Sequence, residues 1–285
     1  MPSVAIIGAG DVGGAIASTL ATRARVSTIR LIDRAADLAA GKALDIQQAG
    51  PVEGFDTRLT ASSDPRDAAG ASVIVIADPA GAGEDDQLGL VAELARLDRD
   101  APIVCALASH RSLVERAVAE RGVPRARIVG SAPLAYVSGV RAIAAAMLDA
   151  APSDVSLLLL GRPPERTVIV WSAATLAGQR LEDAATAAQL SSLRQRIPAL
   201  WPPGPHALAS AAARVTAALL GRSRRQLTCF VALDGELGVR GRAGALPVEL
   251  GPAGVRRVII PSMTAQERVA LENGLYSHQP RTNGQ

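Results

Sequence analysis

A chain of 285 residues is long enough to bury a large core, as one or two domains, and 48% of it is hydrophobic. Only 2% is aromatic, so that core must be built mainly from Ala, Val, Leu and Ile. The net charge of +3 comes from scattered arginines, with Lys42 the single lysine; no basic face is concentrated enough for a nucleic-acid surface.

Residues 4–33 give an apolar strand, a glycine turn, a small-residue helix and a second strand ending in an acid. Gly8, Gly10 and Gly13 form G-x-G-x-x-G, and Asp33 stands twenty residues beyond the last of them. This order suits a dinucleotide-binding βαβ unit. Gly8 permits the tight turn, Gly10 lets the backbone approach a pyrophosphate, and Gly13 lets helix and strand pack closely. Asp11 and Val12 open the helix, whose free N–H groups face the anion. Asp33 is expected to accept from a ribose 2′-hydroxyl, which favours NAD over NADP.

Helices and strands go on alternating after Asp33. A helical stretch holds GKALDIQQA, and strands follow at TRLTA (57–61), SVIVIAD (72–78), PIVCALA (102–108) and RIVGSA (127–132). Helices are expected over 88–97 and 112–120. Continuous apolar, β-branched runs are what strands buried on both faces require, so this half predicts a doubly wound parallel sheet. Cys105 and Cys229 sit in such runs and read as buried thiols, with no support for a disulfide scaffold or a metal site.

In the second half, DVSLLLLG and RTVIVWS read as paired strands, and 181–196 and 207–221 as helices. Residues 226–241 read as a hairpin turning at Asp234-Gly235, and GVRRVII and AQERVALENGL close the fold. SHQPRTNGQ reads as a frayed tail. The basic run Arg222, Arg224 and Arg225 reads as a solvated loop. No apolar run is long enough to span a membrane without a charge or breaker. The chain enters a strand within three residues, with no room for a leader, and a cytoplasmic protein is expected.

The fingerprint, GKALDIQQAGPVEGFDTRLTAS, GVPRARIVGSA, SDVSLLLLG and LDGELGVRG…LPVELGPAGVRRVI together resemble the malate/lactate dehydrogenase family, in particular its bacterial lactate-dehydrogenase-like malate dehydrogenases. The resemblance covers most of the chain in order. It implies an α/β fold: a Rossmann-type NAD-binding domain over 1–132, then an α+β substrate domain over 133–285. It also implies hydride transfer between a nicotinamide and a 2-hydroxy acid, and a homodimer or homotetramer.

Three side-chain functions serve that chemistry. A histidine oriented by a carboxylate exchanges the hydroxyl proton. An arginine fork holds the substrate carboxylate, and a loop arginine polarises the carbonyl. In this chain Pro163 stands at the histidine position, within Gly161–Glu165. Tyr136 replaces the orienting aspartate and Gly139 the fork arginine, leaving Arg141 to match only the final, non-fork arginine. Ala108 replaces a substrate-contacting asparagine.

The mobile loop that follows Ala77-Asp78-Pro79 carries no arginine. Its Glu84, Asp85 and Asp86 would instead repel a dicarboxylate. Asp78-Pro79, in place of Ala-Gly, sets a carboxylate beside the cofactor, an unfavourable arrangement unless it turns away. Of the remaining histidines, His110 reads as exposed at a strand-to-helix turn, His206 as a loop or capping residue and His278 as incidental. Tyr136 has no lysine four residues on to lower its pKa. Arg162 and Arg166, flanking Pro163, read as solvated turn residues.

The reading is a family member that binds NAD but is catalytically degenerate, a structural or regulatory subunit that acts with itself or an active paralogue. The alternative is an active malate or lactate dehydrogenase with an altered site or substrate.

Overall fold

The structure, a computed structural model, describes residues 2–23, 26–221 and 225–276. The expected tail, and Arg222 and Arg224 of the basic run, lie outside the described residues. The chain begins with β1 (Ser3–Ile7), α1 (Asp11–Arg23), β2 (Thr28–Ile32), α2 (Ala36–Glu53), β3 (Arg58–Ser62) and β4 (Val73–Ile76). It continues through α3 (Glu84–Leu97), β5 (Ile103–Cys105), α4 (His110–Ala119) and β6 (Ile128–Gly130). These six strands lie parallel in the order β3-β2-β1-β4-β5-β6, the doubly wound arrangement expected. Side chains alternate across a strand. In β1, Val4 and Ile6 therefore enter one core while Ala5 and Ile7 enter the core on the opposite face. Cys105 and Cys229 are free and buried.

The second half contributes α5 (Ala132–Met147), β7 (Val155–Ser156), β8 (Leu159–Arg162), β9 (Arg166–Ile169), β10 (Thr175–Leu176) and β11 (Gln179–Arg180). Then come α6 (Leu181–Ala184), α7 (Ala187–Arg196), α8 (Pro205–Leu219), β12 (Leu227–Asp234), β13 (Arg240–Gly251), β14 (Gly254–Val258) and α9 (Ala265–Tyr276). β12 joins the parallel strands by pairing antiparallel with β6 through Phe230 and Gly130. The sheet then runs on through β13, β8 and β9, with β14 on β13. Helix α8 packs on α1, so residues of both halves enter one core.

Three expectations need correction. The single strand read into DVSLLLLG divides: β7 pairs with β10 in a small separate sheet, while β8 pairs with β9. The helix expected over 181–196 breaks at Ala185, because the Thr186 hydroxyl accepts from Gln189 N and starts a new helix in a capping box. The hairpin at Asp234-Gly235 is not a two-residue turn. A short 3₁₀ turn at Glu236–Gly238 lengthens it, and the Glu236 carboxylate accepts from Asp234 N and pairs with Arg125.

Candidate functional site

The glycine turn between β1 and α1 has the geometry its spacing predicts. Gly8 has φ +105°, and a Cβ there would lie 2.6 Å from backbone atoms of Asp78 and Pro79. On Gly13 a Cβ would fall 1.9 Å from the carbonyl oxygen of Gly8, so strand and helix touch through bare backbone. The alkyl chain of Lys42 on α2 lies over Gly14. A cleft of about 340 Å³ opens beside Ile7 and Ile32 at the carboxyl ends of β1 and β2, lined also by Asp33, Arg34, Pro79 and Asp86. Ligands of open α/β sheets bind at this end.

Two carboxylates occupy polar positions of this turn. Asp33 is 2% exposed. Its Oδ2 accepts from Ala9 N at 2.9 Å and Ala80 N at 3.2 Å, and its Oδ1 from Ala35 N at 3.0 Å. The group thus holds three stretches of the protein's own backbone at the wall of the cleft, where the ribose role read for it would be played. Asp78 does not turn away. Its Oδ2 accepts from Val12 N at 2.9 Å and its Oδ1 from Gly13 N at 2.8 Å. These are free amides of the first helical turn, the donors an anion uses at a helix N-terminus. The sequence singled out Asp78-Pro79 as unusual but gave no direction for the side chain.

None of Tyr136, Gly139, Pro163 and Ala108 offers a group that titrates near neutrality. Tyr136 on α5 is buried; its hydroxyl donates to Ile197 O at 3.1 Å and its ring meets Trp201 edge-on at 5.3 Å. Burial raises its pKa, so it stays protonated at neutral pH. Gly139 faces Leu200, and Pro163 follows directly on β8. Ala108 is half-buried in the turn between β5 and α4.

Arg166 is exposed, as expected. Arg162 is not: it is 5% exposed, and burial, then the like charge of Arg111, lowers its pKa. It belongs to a cluster with Glu115, whose carboxylate accepts from Arg242 at 3.3 Å and from Ala243 N at 2.9 Å. The sequence missed Glu115, which lies inside a helix with no motif around it. The acids expected on a mobile loop form the first turn of α3. Glu84 and Asp85 pair with Arg116, and Asp86 accepts from Gly83 N, as acids favoured at a helix N-terminus do.

His110 corrects the expectation of an exposed imidazole. It is 2% exposed, its Nδ1 accepts from Leu107 N at 3.2 Å, and burial lowers its pKa to about 3. Unfolded histidine titrates near 6.5, so only the unfolded chain takes up this proton between those values. The stability contributed by neutral His110 is complete above about pH 6.5 and declines as pH falls toward about 3. His110→Asn retains an acceptor for Leu107 N without the titration. Urea unfolding at pH 7 and pH 5 is expected to show a smaller loss for the variant than for the native chain; equal losses would refute the assignment. His206, at the start of α8, lines a different cavity of about 730 Å³ with Arg141 and Arg214. That cavity contains none of the glycine-turn residues.

Among the described residues, no helix is long and apolar enough to cross a membrane. Residues 3–89 match the family model described as lactate/malate dehydrogenase, NAD binding domain. The chain is 30% identical to the malate dehydrogenase of Desulforudis audaxviator, covering 95% of this chain and 94% of that protein. It is also 30% identical to that of Thermomicrobium roseum, covering 94% and 93%. The solved malate dehydrogenase of Salinibacter ruber superposes with a TM-score of 0.86 at 27% identity, covering 95% and 93%. For fold alone, the minor L-lactate dehydrogenase of Enterococcus mundtii superposes with a TM-score of 0.84 at 21% identity, covering 96% and 95%.

Proposed function

The chain belongs to the malate/lactate dehydrogenase family and carries its NAD binding domain, and from that premise we propose a catalytically degenerate member serving a structural or regulatory role. Residues 1–132 form the nucleotide unit in this reading, and 133–285 a former substrate unit. It assembles as a homodimer or homotetramer, or with an active paralogue. NAD, when bound, supplies a hydride acceptor. Gly8, Gly10, Asp11, Val12 and Gly13 supply the backbone that approaches it. The rest of hydride transfer needs a proton-exchanging imidazole and guanidinium groups on the substrate, and these are the functions the chain has replaced.

The observation that carries this reading is that Pro163, directly after β8, stands where the family resemblance calls for a histidine, while His110 is 2% exposed. Proline has no proton to exchange. His110 spends its Nδ1 on Leu107 N. Arg162, the guanidinium nearest Pro163 in sequence, lies inside a cluster with Glu115. Losing acid–base catalysis lowers rates by about 10²–10⁴-fold, and losing a polarising donor by about a further 10²–10³-fold.

The second reading, an active malate or lactate dehydrogenase with an altered site, is favoured by the names of the relatives. One assay separates them. Purified protein with NADH and oxaloacetate, or pyruvate, is expected to show no oxidation beyond the enzyme-free rate. Turnover in the ordinary range of about 1–10³ s⁻¹ that co-purifies with the chain would install the second reading.

A further inference from the structure

We propose that Asp78 is a built-in competitor of the dinucleotide: its carboxylate closes the anion-binding end of α1, and nucleotide binds only when that carboxylate leaves. The inference rests on the NAD-binding assignment and adds a control to it. Both oxygens of Asp78 are engaged, one on each of two successive amides, Val12 N and Gly13 N. Hydrogen bonds from N–H groups to a carboxylate are among the stronger ones, and here the positive end of the α1 dipole adds to them. A phosphate placed on these amides would compete for the same hydrogens.

The fit is close on every side. A Cβ on Gly10 would lie 2.4 Å from Asp78 Oδ2, so the glycine that lets backbone approach a pyrophosphate here accommodates the carboxylate. The segment that carries Asp78 is also held in place. Pro79 restricts the backbone immediately after it, and Ala80 N donates to Asp33, the same buried carboxylate that holds Ala9 on the glycine turn. Asp33 and Asp78 thus clamp the two sides of one turn: the first joins it to the segment after β4, and the second fills its anion position. Opening requires only that the Asp78 side chain rotate off the helix, since Asp33 can keep the backbone anchored.

Apparent affinity for a ligand falls by the fraction of molecules in the competent state. A closed contact favoured about tenfold or more therefore weakens binding by a like factor. The test compares native protein, Asp78→Ala and Asp78→Asn, titrated with NADH by calorimetry and with inorganic pyrophosphate as a bare anion. Asp78→Ala is expected to bind NADH at least ~10-fold more tightly, and the neutral isostere Asp78→Asn to fall between it and the native chain.

Without ligand, Asp78→Ala is expected to melt ~2–4 °C lower, because a helix cap has been removed. A merely structural cap predicts the lower melting temperature with unchanged or weaker NADH binding, and that result overturns the proposal while leaving NAD binding intact. If neither native protein nor variant binds NADH at millimolar concentration, but Asp78→Ala gains pyrophosphate binding, the nucleotide assignment fails and the carboxylate's competition with anions stands. Absence of any gain for either probe overturns the proposal.

Discussion

A Gly13→Ala variant is expected to lose about 3 kcal/mol or more of folding stability, a large effect for one methyl group. The added Cβ would fall 1.9 Å from the carbonyl oxygen of Gly8. The obstacle is backbone, so no rotamer change relieves it. Helix α1 has to move off β1, carrying the amides of Val12 and Gly13 out of register with Asp78. Nucleotide binding should be lost with the stability. Gly41 in α2 provides the control, because a Cβ there meets nothing within 4 Å. Gly41→Ala is expected to be neutral or to stabilise by about 0.5–1 kcal/mol through helix propensity. Denaturant midpoints of the two variants measure the contrast. Equal midpoints would mean that strand and helix are not packed this closely.

Phe230→Ala is expected to cost about 3–5 kcal/mol. Phe230 is fully buried in the middle of β12, the strand that links the parallel sheet to the antiparallel half. Its ring packs edge-on to Trp201 at 6.2 Å, and Trp201 in turn meets Tyr136. Across the β6–β12 pair it lies against Gly130, where a Cβ would approach Phe230 Cβ to 2.9 Å. The ring thus sits where two kinds of sheet are joined, in a core with little other aromatic volume. Phe230→Leu fills part of the space and is expected to lose about 1.5 kcal/mol or less. Urea unfolding of both variants tests the order. An alanine variant as stable as the leucine variant would show that the surrounding chain closes the gap.

The parallel half was legible because its physics is local. Strands covered on both faces read as unbroken apolar runs, and the glycine turn reads directly as close backbone approach. The antiparallel half was less so. Leu181–Arg196 has the period of one helix, and only the Thr186–Gln189 capping box, visible but unread, marks the break. In DVSLLLLG the composition of a strand says nothing of where Val155–Ser156 departs for a different partner.

At the candidate site, the residue types at 108, 136, 139 and 163 are plain in the sequence, but their surroundings were not legible. That Tyr136 donates to Ile197 O, 61 residues away, depends on how α5 meets the segment after α7. The direction of Asp78 was hidden for the same reason. A carboxylate beside helix amides binds them or avoids them according to a backbone path that residue types alone do not fix.

One side-chain amine, Lys42, serves a chain of 285 residues, and it rests over Gly14 at the end of the first turn of α1. Amine-selective chemistry on a side chain is therefore addressed to a single place, without mutagenesis. A fluorophore or isotopic methyl carried there stands beside the helix that Asp78 caps. Its signal reports on that helix end alone, undiluted by the tens of labelled positions that a lysine-rich homologue would contribute.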